Sequence, residues 1–239
     1  MNFFKTLLAA LTLSLGVAAL AQDAVIRKNL AERIPQFKTI DEVSKSPLPG
    51  LFEVRINGTD IFYTDAEGNF LIQGSMIDTR QRRNLTEERV AKLSAVSLDA
   101  LPTKDAFTMV RGNGKRKLAV FEDPNCGYCK RLERDLEKID NVTIHMFLYP
   151  ILGVDSVEKS KNIWCAKDRA KAWTDWMMRE KVPAATVTPA CDVAAITRNV
   201  ELGRKHKING TPTLFFADGS RVPGAISAAD LEKYLGNAN

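Results

Sequence analysis

The chain is 239 residues long, 45% apolar and 26% charged, with a formal net charge of +5, an ordinary balance for a globular protein. The basic excess is small and scattered, and its one cluster, Arg80, Arg82 and Arg83, has no aromatic interleaving, which argues against a nucleic-acid binder. No segment beyond the N-terminal run is long and apolar enough to span a bilayer, which argues against membrane insertion.

In chain order, Lys5 is followed by an apolar run from Thr6 to Leu20 that closes on Ala19-Leu20-Ala21. The run is short of the roughly 20 residues of a spanning helix and reads as a secretory signal peptide, residues 1–21, cleaved after Ala21. Cleavage removes Lys5 and brings the net charge to +4. The exported chain then meets an oxidising milieu in which disulfides persist, and what remains is enough for a sizeable core or for two small domains.

Ala24 to Ile34 reads as a short helix that Pro35 ends, with Val25, Ile26, Leu30 and Ile34 near helical spacing. From Leu51 to Asp78 short alternating runs are separated by Asn57-Gly58 and Glu67-Gly68-Asn69, which predicts a small antiparallel sheet. Its last run, Phe70 to Ile77, carries Gly74 in mid-strand, marking either a bulge or a place where another backbone approaches. A module of this size is near the lower limit for folding alone. Leu85 to Leu101 has helical spacing, capped by Asn84 or Thr86 and ended by Pro102, and is expected to link two sheet-bearing regions.

From about Thr103 the order is strand, helix, strand, a long helical insert, strand, strand and helix. Lys117 to Asp123 is a buried strand, Cys126 to Ile139 a helix with Leu132, Leu136 and Ile139 inward, and Val142 to Tyr149 the next strand. That order implies a parallel pair with a right-handed crossover, hence an α/β domain. Asp155 to Lys181 and Asp192 to Lys207 read as helices, Thr213 to Gly219 as a strand, and Ser227 with Asp230 opens the last helix.

Cys126 and Cys129 stand at the junction of a strand and a helix, where unpaired N–H groups and the macrodipole favour an anion. A thiolate is thereby stabilised at Cys126, whereas Cys129, one turn inside, suits a resolving role. Lys130 helps only if it folds back. A zinc site would have to recruit the distant Cys165 and Cys191 in place of a second close pair, and a disulfide across three residues closes too small a loop to constrain the unfolded chain. Spacing, context and compartment favour a redox dithiol. No metal, flavin or nicotinamide site is evident, so no cofactor is expected. Asp123 is read as the cap of the turn, His145 and His206 as structural or surface residues, and Trp164, Trp173 and Trp176 as packing.

Four stretches, Phe121 to Cys129, Ile163 to Asp168, Cys191-Asp192-Val193 and Gly210-Thr211-Pro212, together resemble the DsbC/DsbG family of periplasmic thiol:disulfide interchange proteins. The resemblance implies an N-terminal dimerisation domain over 22–84, a linker helix over 85–102 and a thioredoxin-fold catalytic domain with a helical insertion over 103–239. It implies a homodimer with Phe70 to Ile77 at the interface, a structural disulfide between Cys165 and Cys191, and a substrate site bordered by Thr211, a cis Pro212 and Tyr128. The implied activity is reshuffling of wrong disulfides in misfolded secreted proteins, with electrons from a membrane reductase of DsbD type. A DsbG-like reductase of oxidised single cysteines ranks second, because that group has Pro-Tyr where this chain has Gly127-Tyr128. A dimeric holdase chaperone with an incidental redox site is the reading from another class.

Overall fold

A computed structural model of the chain describes residues 21–37, 39–184 and 187–237. The signal run lies outside the described residues except for Ala21. The chain divides between Leu93 and Ser94 into two compact units.

In the first unit, helix α1 occupies residues 21–33, and Pro35 opens a 3-10 turn, Pro35–Phe37. Ile26 and Leu30, one turn apart, are buried against Phe37, Ile40, Val54 and Ile56. Strands β1 (Ile40–Lys45), β2 (Phe52–Ile56), β3 (Asp60–Thr64) and β4 (Leu71–Ile72) form an antiparallel meander in sequence order. Asn57 and Gly58 both take positive φ between β2 and β3, the turn geometry a twisted hairpin requires.

The expected strand from Phe70 to Ile77 is not continuous. Leu71–Ile72 pairs with β3, while β5 (Ile77–Asp78) pairs with β6 (Arg83–Asn84) in a separate ribbon. Gly74 lies between them, outside both ladders, with nothing of its own chain near the position a Cβ would take. Met76 explains the break, since its N–H is taken by the Thr86 hydroxyl at 2.8 Å and its carbonyl by the Leu85 N–H at 2.9 Å. Those groups are satisfied by the start of the next helix, not by a ladder.

Helix α2 (Leu85–Leu93) is capped by Asn84, whose side chain accepts from the Glu87 N–H at 3.1 Å. It is half the linker helix the spacing predicts over 85–102. The chain leaves the helix at Ser94, and Ser97 caps a 3-10 turn, Leu98–Ala100. Serines compete for backbone donors in this way, and the Val96 N–H finds a carbonyl at Gly219. Leu98 and Leu101 belong instead to the core of the second unit.

The second unit is a five-stranded sheet in the order β11, β10, β8, β9, β7, with β7 Phe107–Arg111, β8 Arg116–Glu122, β9 Val142–Leu148, β10 Thr213–Phe216 and β11 Arg221–Pro223. The β8 and β9 strands are parallel, joined through helix α3 (Gly127–Leu136), and the other pairings are antiparallel. Strand β8 is buried from Leu118 to Glu122 because both faces are covered. On one face Leu118, Val120, Ile144 and Met146 meet Leu132 and Leu136 of α3 and Trp173. On the other, Phe121 stacks on Phe147 at 4.6 Å and meets Phe215 edge-on.

The single helix expected from Asp155 to Lys181 is two, α4 (Val154–Cys165) and α5 (Arg169–Arg179). Asp168 breaks it by capping α5, accepting from the Lys171 N–H at 2.9 Å. Helices α6 (Ala194–Lys205) and α7 (Ala228–Asn237) complete the unit. It is the thioredoxin-type α/β arrangement with a helical insertion.

Candidate active site

Strand β8 ends at Glu122, and the turn Asp123-Pro124-Asn125 delivers Cys126 to the N-cap of α3. Asp123 is fully buried and holds that turn closed. One carboxylate oxygen accepts from the Asn125 N–H at 2.8 Å and the Ser156 hydroxyl at 2.7 Å, the other from the N–H groups of Ile151 and Leu152 at 2.8 and 2.9 Å. Four donors satisfy a buried carboxylate that would otherwise be costly. Asp123 therefore caps the turn, as its position suggests, and also ties it to the loop after β9.

The Cys126 Sγ accepts from the Cys129 N–H at 3.4 Å and lies 3.3 Å from the Thr211 carbonyl. Register explains this meeting of residues 85 positions apart: Thr213 of β10 faces Phe121 of antiparallel β8, so the segment entering β10 lies beside the turn leaving β8. The Thr211-Pro212 peptide there is cis. Tyr128 belongs to the first turn of α3 and its side chain is exposed.

The two thiols are held in opposite states. A hydrogen bond with the Cys129 side chain does most to lower the Cys126 thiol to about 6, helped by the Thr211 side chain and the backbone of Cys129 and Tyr128 against the opposing effect of burial. The Thr211 carbonyl works the other way, since it accepts only from the neutral thiol; the several groups that favour the thiolate outweigh it. Burial first, then the bond to Cys126, push Cys129 far up. The pair thus offers one populated nucleophile and one stored proton.

Lys130 does not fold back toward Cys126. Its ammonium bonds Glu180 at 3.0 Å and lies over the Trp176 ring. Trp176, read from sequence as packing, supports the site by donating its indole N–H to the Pro124 carbonyl. Two more residues escaped the sequence reading. Glu122 is fully buried with neither oxygen hydrogen-bonded, and Glu133, also buried, accepts from the Trp173 indole N–H at 2.8 Å. An acid directly after the apolar run Leu118 to Phe121, still inside the buried strand, is the available signal for Glu122, because a polar residue in a buried strand is the informative exception.

Cys165 and Cys191 are joined by a disulfide with a Cα–Cα distance of 5.8 Å. It ties the end of α4 to the segment entering α6, apart from the Cys126 turn. Its closed loop, with a sequence separation of 26, is worth about 3.5 kcal/mol in the chain-entropy picture. A Cys165→Ala/Cys191→Ala variant is expected to lose that much unfolding free energy, read as a lower urea midpoint. An unchanged midpoint would show that the bridge contributes nothing.

Residues 17–87 match the disulfide bond isomerase protein N-terminal domain, and residues 103–239 the thioredoxin-like domain. A probable thiol:disulfide interchange protein DsbC of Bordetella parapertussis is 46% identical over 90% of this chain and 74% of its own length. The thiol:disulfide interchange protein DsbC of Escherichia coli K12 is 33% identical over 96% of this chain and 92% of its own. The crystal structure of a disulfide interchange protein from Neisseria gonorrhoeae is 41% identical, covers 58% of this chain and 98% of that one, and superposes with a TM-score of 0.54.

Proposed function

This chain belongs to the DsbC family of thiol:disulfide interchange proteins and is a thiol-disulfide oxidoreductase, and from that premise we propose that it is a periplasmic disulfide isomerase working through Cys126 and Cys129. The observation that carries the proposal is the Cys126 sulfur at the N-cap of α3, stabilised as thiolate, beside a neighbour held as thiol.

The Cys126 thiolate attacks one sulfur of a wrong substrate disulfide, forms a mixed disulfide and expels the other sulfur as thiolate. If a second substrate thiolate attacks the bonded substrate sulfur, a new substrate disulfide forms and Cys126 leaves unchanged. If Cys129 loses its proton and attacks Cys126 instead, substrate leaves reduced by two electrons and the enzyme is oxidised. A low thiol pKa makes Cys126 a good leaving group in the first route, and the burial that raises Cys129 slows the second. Substrates are unfolded secreted proteins with more than one disulfide, received beside Thr211, Pro212 and Tyr128. A membrane reductase of DsbD type keeps the dithiol reduced. The first unit pairs two copies, a reading supported by exposed Ile72 on edge strand β4, exposed Phe70 just before it and exposed Ile77.

Refolding of a scrambled multi-disulfide protein in glutathione buffer tests the proposal. Cys129→Ala is expected to keep substantial reshuffling, and Cys126→Ala to lose it. Loss with Cys129 as complete as with Cys126 would replace direct isomerisation by cycles of reduction and reoxidation.

A further inference from the structure

Just ahead of Cys126, the peptide unit that joins Pro124 to Asn125 is held from both ends. Its N–H donates to the Asp123 carboxylate at 2.8 Å, and its carbonyl accepts the Trp176 indole N–H at 2.5 Å. Both partners are themselves fixed. Asp123 is buried and takes three further donors. The Trp176 ring carries the ammonium groups of Lys130 and Lys159 over its face, 4.8 and 4.6 Å from its centroid, and these are paired with Glu180 and Asp155. Asp155 in turn accepts from the Asn125 side chain at 2.7 Å, so the support of the ring returns to the same turn. A peptide unit is planar, so fixing the direction of its carbonyl and its N–H fixes the plane, and with it the course of the chain into Cys126.

We infer that Trp176 is a positioning residue for Cys126: its indole N–H locks that peptide plane and so holds the sulfur at the start of α3, where the helix receives it as thiolate. The inference rests on the exchange chemistry proposed for Cys126 and names a residue of the helical insertion on which that chemistry depends. Three observations separate this role from packing. Packing asks for a ring of this size and not for its N–H, whereas this N–H is spent on one backbone carbonyl two residues from the reactive sulfur. Pro124 is buried, so without the indole its carbonyl is orphaned, and the peptide regains a partner only by turning. The sulfur is the group that feels such a turn, because its bond from the Cys129 N–H, at 3.4 Å, depends on where the N-cap stands. A donor stabilises the thiolate more than the thiol, so displacement costs the charged form first.

The test is the pH dependence of Cys126 alkylation by iodoacetamide in the full reduced protein, with urea unfolding of each variant beside it. Trp176→Phe keeps an aromatic face for the two lysines and loses the donor. Its alkylation midpoint is expected to rise by about half a pH unit, an approximately threefold fall in the ionisation constant. Benzothienylalanine at position 176 keeps the bicyclic ring, lacks only the N–H and is expected to give the same shift, which covers the case of a phenylalanine variant that does not fold. Cys165→Ala/Cys191→Ala loosens the same unit away from the turn, and is expected to lower the urea midpoint and leave the alkylation midpoint in place. An unmoved alkylation midpoint in the Trp176 variants would make Trp176 a packing residue and overturn the inference, as would an equal shift in the disulfide variant. A wild-type thiol that titrates at about 8.5, the ordinary cysteine value, would instead overturn the thiolate reading of Cys126 on which the inference depends.

Discussion

Alkylation of the reduced protein with iodoacetamide is expected to follow a single ionisation with its midpoint near pH 6, and Cys126→Ser is expected to remove more than 99% of the rate. The thiolate is the reacting species, and a thiol lowered to about 6 is about 90% ionised at pH 7, against about 3% for an ordinary cysteine near 8.5. That is a roughly thirtyfold excess of nucleophile before any difference in access. Cys129 adds nothing to the native rate because it is wholly buried and its thiol is pushed far up, and it reacts only after unfolding. Removing Cys129 as well as its proton takes away the largest contribution to the low value at Cys126. In Cys129→Ala the midpoint therefore moves upward, toward the ordinary range, while the N-cap position, the Thr211 side chain and the backbone groups keep it below 8.5. A midpoint near 8.5 in the wild-type protein would refute this account of the site.

Local chemistry was legible wherever it was carried by neighbours in sequence. Asn57-Gly58 announced its turn, the run Leu118 to Phe121 its buried strand, and Cys126 its place at the start of α3. What could not be read depended on partners far along the chain. Strand β1 is largely polar between Asp41 and Lys45 and is a strand because β2 pairs with it. Strand β7 is only five residues and carries no signal of its own, since Phe107 and Met109 are buried only once β9 lies beside them. The linker helix is shorter than its spacing predicts because Val96 bonds to Gly219, more than a hundred residues on. Thr211 and Pro212 were placed at the site by resemblance alone; the physical reason, the β8 to β10 register, is not a property of either segment by itself. The same holds for Asp123, whose reach to Ile151 and Leu152 is invisible in a turn motif.

Glu122 is expected to make the fold less stable as pH rises, and Glu122→Gln to abolish that dependence. The residue is fully buried at the end of β8 with no hydrogen bond to either oxygen. Burial first, then the charge of Glu133, raise it well above the usual carboxylate range. Ionised, it would face Glu133, a second buried acid that burial also raises, with no donor between them, whereas protonated it can donate to Glu133. The sign follows from linkage. The unfolded carboxyl ionises near 4.5 while the folded one stays protonated, so unfolding releases a proton above that pH. The stabilisation is fully present below about pH 4.5 and is lost as pH rises toward the folded value, at about 1.4 kcal/mol per pH unit. Other groups tilt the curve the opposite way. His145 and His206 are lowered by burial, and Cys126 is lowered in the reduced protein, so each adds stability with rising pH. The difference between wild type and Glu122→Gln cancels them, and its slope from urea midpoints between pH 5 and 7 reports the proton of the Glu122–Glu133 pair, both of which burial raises. A flat difference would mean that Glu122 is ionised in the native protein. That outcome would also weigh against the low thiol value of Cys126, because a negative charge at Glu122 would oppose the thiolate that the exchange reaction needs.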